Sequence, residues 1–372
     1  MQFRAPRLPD FPWDTIADDI TVAKSHPGGA CDLSVGTPVD PTPLIGQEAL
    51  IASADAPGYP AVWGTPALRR AIIDYAQNRW GAPTLADEQV LPVIGAKELV
   101  GWLPILSGVR PGETVVIPDI AYPTYEVGAL MAGARVIRAS SPDDVAGESP
   151  VLVWTNSPSN PTGAVLSLGQ TRAWIDYARA KGALLAADEC YSEFGWTAEP
   201  VSVMDARLNG GSLAGLLAVH SLSKRSNLAG YRAGFVVGDQ AVVSGLLGLR
   251  KHLGMMVSAT VQEAMRVLLG DQGHVDQQRA RYAARREVLS NALISAGFSI
   301  DCSQAGLYLW ATRGEDGRAT AHWLASLGII VAPGDFYGPT GADHVRIALT
   351  ATDERIAAAA QRLVSHVDGL AD

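Results

Sequence analysis

The chain has 372 residues, of which 48% are hydrophobic and 18% charged, and a formal net charge of -9. This length provides for two domains with substantial cores, and so acidic a chain is a poor candidate for binding nucleic acid or anionic membranes. No apolar run approaches the length of a membrane span, and the N-terminus lacks a signal-peptide core. The three cysteines have no metal-ligand spacing, so we expect reduced thiols, no metal and a cytoplasmic protein.

The first forty residues are rich in proline and glycine, which predicts an extended arm. From about residue 67, short apolar runs alternate with helical stretches such as Ser167–Lys181, which predicts βαβ units around a mostly parallel sheet. The predicted strands are Val90–Gly95, Thr114–Pro118, Val151–Thr155, Ala183–Ala187, Leu216–His220, Gly234–Val237, Gly306–Thr312 and Val345–Leu349. The predicted organisation is an arm over 1–40 that joins the small domain, a large domain over 41–245, a connecting helix over 246–270 and a small α/β domain over 271–372.

A lysine follows one of these predicted strands, in the segment Ser-Leu-Ser-Lys-Arg-Ser-Asn-Leu-Ala-Gly-Tyr-Arg over 221–232. In α/β sheets, ligands bind at the edge where parallel strands end. Lys224 can be partly desolvated there, close to other cations, and both effects favour its neutral, nucleophilic form. Ser221, Ser223 and Arg232 could hold a phosphate, because a guanidinium meets phosphate through two parallel hydrogen bonds. Taken alone, the segment could equally be a basic surface turn with serine caps.

Two further strand ends carry polar groups. Asp188 ends an apolar run, and Tyr191 follows three residues later. A carboxylate that faces a pyridine nitrogen would keep it protonated and make the ring an electron sink. The alternative is that Asp188 and Glu189 cap a helix; we favour function for Asp188 and a structural role for Glu189. Asn160 stands in an Asn-Pro turn and could also donate a hydrogen bond to a phenolate-like oxygen.

Three motifs in this order carry a family resemblance: Asn-Pro-Thr-Gly at 160–163, Asp-x-x-Tyr at 188–191, and Ser-x-Ser-Lys at 221–224 with an arginine eight residues after the lysine. Together they resemble the class I aminotransferases of pyridoxal-phosphate fold type I, along nearly the whole chain. The resemblance implies an α/β fold with a large domain around a mostly parallel central sheet and a smaller α/β domain. It also implies pyridoxal 5′-phosphate (PLP) as cofactor, amino-acid and keto-acid substrates, and a homodimer.

The resemblance assigns roles to these positions. Lys224 would carry the cofactor as a Schiff base and shuttle a proton, and Asp188 would pair with the pyridinium nitrogen. Tyr191 and Asn160 would hydrogen-bond the 3-oxygen of the ring. The residues that would hold the phosphate are Ser221, Ser223 and Arg232.

Weaker family motifs add further positions. Gly95, Ala96 and Lys97 precede a helical stretch whose N-terminus would meet the phosphate; Gly95 also suits a plain turn, and Lys97 departs from the small or hydroxyl residue of relatives. Tyr122 would stack on the pyridine ring, although a lone aromatic is more often core. Tyr59 would reach the phosphate of the partner subunit.

Three positions would bind the substrate: Gly36, Asn160, which also contacts the cofactor, and Arg346. Gly36 matches an N-terminal glycine that lines the substrate site. Arg346 would bind the substrate α-carboxylate, and the alternative is an exposed arginine on a strand.

Several stretches are similar to the actinobacterial N-succinyldiaminopimelate aminotransferases, including residues 11–14, 32–41, 220–227 and 332–338. These enzymes exchange an amino group between glutamate and N-succinyl-2-amino-6-oxopimelate, on the route to diaminopimelate and lysine. Burying the distal carboxylate of this acceptor requires a partner. The candidates are Lys97, Arg225, Lys251 and His252, of which we favour Lys251.

Other activities stay open at this point. The chain could be an aminotransferase for another amino acid and keto acid, or a carbon–sulfur lyase or decarboxylase of the same fold, because all of these share the cofactor site. A PLP-sensing regulator would need an additional DNA-binding domain and is disfavoured by the acidic charge.

Overall fold

The computed structural model describes residues 8–368, and its strands form three sheets. The strands are β1 (Cys31–Asp32), β2 (Val90–Val93), β3 (Thr114–Pro118), β4 (Arg135–Ala139), β5 (Pro150–Asn156), β6 (Leu184–Asp188), β7 (Leu216–Ser221), β8 (Gly234–Gly238), β9 (Ser299–Asp301), β10 (Tyr308–Thr312), β11 (Ile329–Ile330), β12 (Ala332–Pro333) and β13 (Val345–Ala348). The α-helices are α1 (Ala17–Lys24), α2 (Leu44–Ala52), α3 (Pro66–Trp80), α4 (Ala96–Leu106), α5 (Thr124–Met131), α6 (Leu168–Lys181), α7 (Ala206–Asn209), α8 (Leu222–Arg225), α9 (Gln240–Leu253), α10 (Ala259–Leu269), α11 (Gly273–Ser295), α12 (Gly317–Ser326) and α13 (Asp353–Asp368).

The largest sheet has seven strands in the order β2-β8-β7-β6-β5-β3-β4. The strands from β7 to β4 run parallel to one another, whereas β8 runs antiparallel to its neighbours β2 and β7. Strands β2, β7 and β8 are buried along their whole length, as expected for a sheet covered on both faces. The mostly parallel central sheet and the α/β fold are therefore confirmed.

The register of this sheet aligns the ends of three strands. Asn156 of β5 lies opposite Asp188 of β6, and Asp188 lies opposite Val219 of β7. The polar groups that follow β5 and β6 therefore meet at one edge of the sheet with Lys224, which comes shortly after β7. Each predicted strand is present, and its ends lie within two residues of the prediction.

A second sheet, in the order β12-β13-β10-β9, is antiparallel throughout. The first part of the chain joins these C-terminal elements: β1 pairs in parallel with β11, and α1 packs against α12. Within residues 8–368, no helix has the length and apolar character needed to cross a membrane.

The segment predicted as one connecting helix, 246–270, consists of two helices, and the prediction of a continuous helix is wrong. Helix α9 ends at Leu253 because Gly254 adopts a left-handed conformation (φ 68°) at its C-terminus, which glycine does at little cost. Helix α10 then packs against α2 and α3. The four-part division of the chain into domains otherwise stays a prediction.

Candidate active site

Lys224 lies in the single-turn helix α8, directly after β7. Its Nζ donates a hydrogen bond to the carbonyl oxygen of Gly36 in the N-terminal arm. Burial lowers the pKa of Lys224 to about 8, and the positive charges of Arg346 and Arg232 act in the same direction. The neutral form of this amine, which a nucleophilic lysine requires, therefore predominates above about pH 8 and not only above the usual lysine pKa of 10.5.

Asp188 is buried at the end of β6. Tyr125 Oη donates to its Oδ2 at 2.7 Å, and the backbone N–H of Cys190 donates to Oδ1 at 3.1 Å. Burial raises the pKa of Asp188, and these two hydrogen bonds oppose that effect. Tyr125 is itself fully buried and stacks on Trp154 with a centroid distance of 5.0 Å. The carboxylate is thus held in a fixed orientation.

A group of buried side chains surrounds Arg346. Its Nη1 donates to Asn160 Oδ1 at 2.9 Å, and its guanidinium lies 4.1 Å from the centre of the Tyr308 ring. Tyr308 Oη is in turn 2.9 Å from Tyr191 Oη. Arg346 is 2% exposed, so the alternative of an exposed strand arginine is wrong. The site residues Asn160, Tyr191 and Arg346 are therefore in one cluster.

The N-terminal arm closes over these cations. The carbonyl oxygen of Ser34 accepts a hydrogen bond from Arg346 Nη2, and that of Gly36 accepts from Lys224. A Cβ atom at position 36 would lie 2.1 Å from Tyr308 Oη, far inside van der Waals contact. Glycine is therefore required for the arm to approach so closely.

A second group of residues forms a cradle at the start of α4. Gly95 caps this helix with φ 77°, and a Cβ atom there would lie 2.4 Å from Arg232 Nη2. Arg232 is anchored by a 2.8 Å hydrogen bond from Nη1 to Ala229 O. The guanidinium and the first N–H groups of the helix, beginning at Ala96, form an anion-binding arrangement. Ser221 Oγ accepts from the Ser223 N–H at 3.1 Å, which fixes the turn that leads to the lysine.

Three of the predicted cofactor residues, Lys97, Tyr122 and Tyr59, are not part of the cradle formed by Gly95 and Arg232. Lys97 is exposed, and its Nζ lies 5.9 Å from the centre of the Phe11 ring, so it faces the arm. Tyr122 is partly buried and packs edge-on against Tyr125 at a centroid distance of 5.9 Å. Tyr59 is 98% exposed, and within one chain it does not join the cluster.

Arg225 was a candidate for the distal carboxylate of the substrate, and this expectation is wrong. Its Nε lies 3.3 Å from Glu193 Oε1, and its Nη1 donates to Leu268 O at 2.8 Å. Arg225 is 3% exposed, so it belongs to a buried ion pair. Lys251 and His252 are exposed at the last turn of α9.

Sequence reasoning missed Tyr125 and Tyr308. Tyr125 stands three residues after Tyr122, in the first turn of α5, and this short spacing was the one available signal. Tyr308 lies on β10, opposite Ala348 on β13, and no motif marks it. Its importance comes from the pairing of two strands that are distant in sequence.

The donor set fits PLP by its chemistry. Lys224 supplies an amine for the carbonyl carbon, Asp188 an acceptor for a protonated ring nitrogen, and the Gly95–Arg232 cradle donors for a phosphate dianion. When bound, PLP supplies the electron sink for bond breaking at the substrate Cα. The chain supplies the orientation and the proton-transfer groups.

Comparison with known proteins gives one consistent result. The family model described as aminotransferase class I and II matches residues 31–363. The chain is 58% identical over 356 residues to the probable aminotransferase Rv1178 of Mycobacterium tuberculosis, covering 96% of this chain and 85% of that protein. It is 53% identical over 356 residues to the 4-dedimethylamino-4-oxo-anhydrotetracycline transaminase OxyQ of Streptomyces rimosus, covering 96% and 99%.

Solved structures agree with this result. A probable N-succinyldiaminopimelate aminotransferase from Thermus thermophilus superposes with a TM-score of 0.86 at 26% identity, covering 95% of this chain and all of that one (100%). The chain therefore belongs to the class I and II aminotransferase family, and it is an aminotransferase that uses pyridoxal 5′-phosphate.

Proposed function

We propose that this aminotransferase exchanges an amino group between glutamate and N-succinyl-2-amino-6-oxopimelate, in the synthesis of diaminopimelate and lysine. The observation that carries the proposal is that Arg346, on β13 of the second sheet, comes together beneath the arm with Lys224 and Asp188, which lie at the edge of the central sheet. Similarity to the Thermus protein supports the choice of acceptor.

Four residues are proposed to act on the cofactor. Lys224 is the proton carrier at the substrate Cα, because burial and the nearby cations Arg346 and Arg232 lower the pKa of its amine to about 8. Asp188, held in place by Tyr125, accepts a hydrogen bond from the protonated ring nitrogen and keeps it protonated. Tyr191 and Asn160 orient the ring through its 3-oxygen.

Arg346 is proposed to bind the α-carboxylate of both substrates. Its Nη1 and Nη2 now donate to Asn160 and to the Ser34 carbonyl. A carboxylate is a stronger acceptor than a neutral carbonyl. We therefore expect it to replace the Ser34 contact.

For the distal carboxylate, the contacts favour Lys97. Its ammonium faces Phe11, the Phe11 ring lies 5.6 Å from Trp13, and Trp13 lies 6.0 Å from the Arg346 guanidinium. Phe11 and Trp13, both in the N-terminal arm, therefore form a continuous row of contacts from Lys97 to Arg346, the proposed site of the α-carboxylate. Lys251, at the end of α9, remains the second candidate.

The test is a panel of keto acids with glutamate as donor, monitored by formation of 2-oxoglutarate. The succinylated acceptor is expected to give the highest kcat/KM. Lys97→Met is expected to raise KM for that acceptor about ten-fold to a hundred-fold, the cost of one charge-assisted hydrogen bond, with little change for glutamate. Lys181→Met is the matched control, because Lys181 binds the Ala146 carbonyl on the outer face of α6. A preference for aromatic or short aliphatic keto acids would disprove the proposal that the succinylated keto acid is the acceptor.

A second acceptor class has support from one relative. OxyQ, at 53% identity, is named as a transaminase of 4-dedimethylamino-4-oxo-anhydrotetracycline. The same panel should therefore include a cyclic ketone that lacks an α-carboxylate. Efficient turnover of this ketone, combined with insensitivity to Lys97→Met, would favour the second class.

We also propose a homodimer in which Tyr59 completes the phosphate site of the partner subunit. Tyr59 is almost fully exposed and lies outside its own cluster, and a two-fold interface would complete two identical sites. Further exposed apolar residues are available for such an interface: Leu44, Ile45, Ile51, Leu249 and Leu253.

Subunit mixing tests this arrangement. Tyr59→Phe and Lys224→Ala proteins are expected to be weakly active alone and to regain part of the activity when they are unfolded and refolded together. One of the two sites in a heterodimer would contain both intact residues. A fully active particle with the 39.1 kDa mass of one chain would contradict the proposal.

A further inference from the structure

The three residues after Lys224 are all anchored to the junction between α10 and α11. Arg225 Nη1 donates to Leu268 O at 2.8 Å, Ser226 Oγ lies 2.8 Å from His274 Nε2, and Asn227 Nδ2 donates to Gln278 Oε1 at 3.1 Å. These contacts join positions between 43 and 51 residues apart in sequence. The backbone that carries the lysine is therefore fixed from one side by a separate part of the chain.

The middle contact continues as a chain of three polar side chains. His274 Nδ1 lies 2.6 Å from Asp271 Oδ2, which also accepts a hydrogen bond of 3.0 Å from the His274 backbone N–H in the first turn of α11. These two contacts with His274 lower the pKa of Asp271, so it is an ionised acceptor. Since a carboxylate only accepts, Nδ1 of His274 carries the proton.

The protonation state of His274 then fixes the direction of the remaining bond. Burial is the main cause that lowers its pKa; the charge of Arg225 acts in the same direction, and Asp271 and Glu193 oppose it. Neutral His274 with its proton on Nδ1 presents a lone pair at Nε2. Ser226 therefore donates to His274, and its own oxygen accepts from Arg225 Nη1 at 3.2 Å.

The order serine, histidine, aspartate is that of a hydrolase triad, but burial argues against a nucleophile here. Ser226 is 1% exposed, and its oxygen already accepts a bond from a guanidinium. The three side chains therefore act on what Ser226 is attached to, the backbone two residues after the lysine.

We propose that Ser226, His274 and Asp271 are positioning residues for Lys224. Their hydrogen bonds fix the turn after α8, and this turn keeps the partly buried Lys224 close to Arg346 and Arg232. The inference rests on the proposed role of Lys224. Loss of the Ser226–His274 bond would loosen the turn and let water reach the Lys224 nitrogen. In the holoenzyme this nitrogen would be that of the Schiff base, and it would then keep its proton to higher pH.

The test uses the holoenzyme without substrate and follows the absorbance of the lysine-bound cofactor as pH is varied. Ser226→Ala and His274→Leu each remove the bond, and each is expected to move the midpoint upward by about 0.5–1 unit, a three-fold to ten-fold change in the protonation equilibrium. His274→Gln retains an acceptor and should restore a midpoint close to that of wild type.

Ser202→Ala is the matched control, because Ser202 is equally buried and its Oγ accepts a single local hydrogen bond, from the Met204 N–H. Midpoints that coincide with wild type in both Ser226→Ala and His274→Leu, with thermal stability lowered, would overturn the proposal and leave a purely structural role. Lys224→Ala separates the two hypotheses. An unchanged cofactor band in that variant would refute the role of Lys224 itself, whatever the Ser226 variants do.

Discussion

Replacing Tyr125 by phenylalanine removes one oxygen atom and, with it, the 2.7 Å hydrogen bond to Asp188. The ring remains in place, because Tyr125 is fully buried and stacks on Trp154. Asp188 then retains its contacts with Cys190, including the hydrogen bond from the Cys190 N–H. The variant therefore isolates the contribution of one hydroxyl to the charge of the carboxylate.

The magnitude follows from the charge on the acceptor. A hydrogen bond to a charged group contributes about 1.5–3 kcal/mol, and each pKa unit corresponds to about 1.4 kcal/mol. Burial already raises the pKa of Asp188, so losing the bond should raise it by about 1–2 units more. A carboxyl group with a raised pKa is charged only above that pKa. The acid limb of the activity profile is therefore expected to move to higher pH by the same amount.

The assay is kcat/KM for glutamate measured across the pH range, with Tyr177→Phe as control. Tyr177 Oη donates one hydrogen bond of 2.8 Å to the Val145 carbonyl, so the control loses a similar contact without touching a charge. The argument that this hydroxyl stabilises the charged carboxylate would be refuted if the pH profile of kcat/KM for Tyr125→Phe fell at the same acidic pH as those of wild type and Tyr177→Phe.

Three other outcomes are expected. In the apoenzyme, the rate at which the Lys224 amine reacts with added PLP should rise with pH and level off above about 8, since its lowered pKa favours the neutral amine above that value; a rise that continues to pH 10 would contradict this. Gly95→Ala places a side chain at φ 77° and against Arg232, so urea unfolding should show a loss of about 1–3 kcal/mol, together with weaker PLP binding in dialysis. Glu193→Gln leaves buried Arg225 without its carboxylate partner and should cost about 3–5 kcal/mol in the same unfolding assay; wild-type stability would show that the ion pair contributes nothing.

The sequence alone determined the strands of the central sheet and the position of the lysine. Strands buried on both faces are continuous apolar runs, as in Leu216–Ser221 and Gly234–Gly238, and such runs are visible without any neighbour. Residues that follow the ends of parallel strands must share one edge. For that reason Asn160, Asp188 and Lys224 could be placed together in advance.

Tertiary structure decided the contacts made across long sequence distances. Tyr308 and Arg346 meet because β10 pairs with β13, and the arm carbonyls reach the site cations because β1 pairs with β11. The burial of Arg225 beside Glu193 depends on three-dimensional packing, and a run of basic residues gives no sign of it. Local periodicity fixes which face of an element is apolar, but the partner of a polar side chain is set by which elements pack together, and that depends on the whole chain.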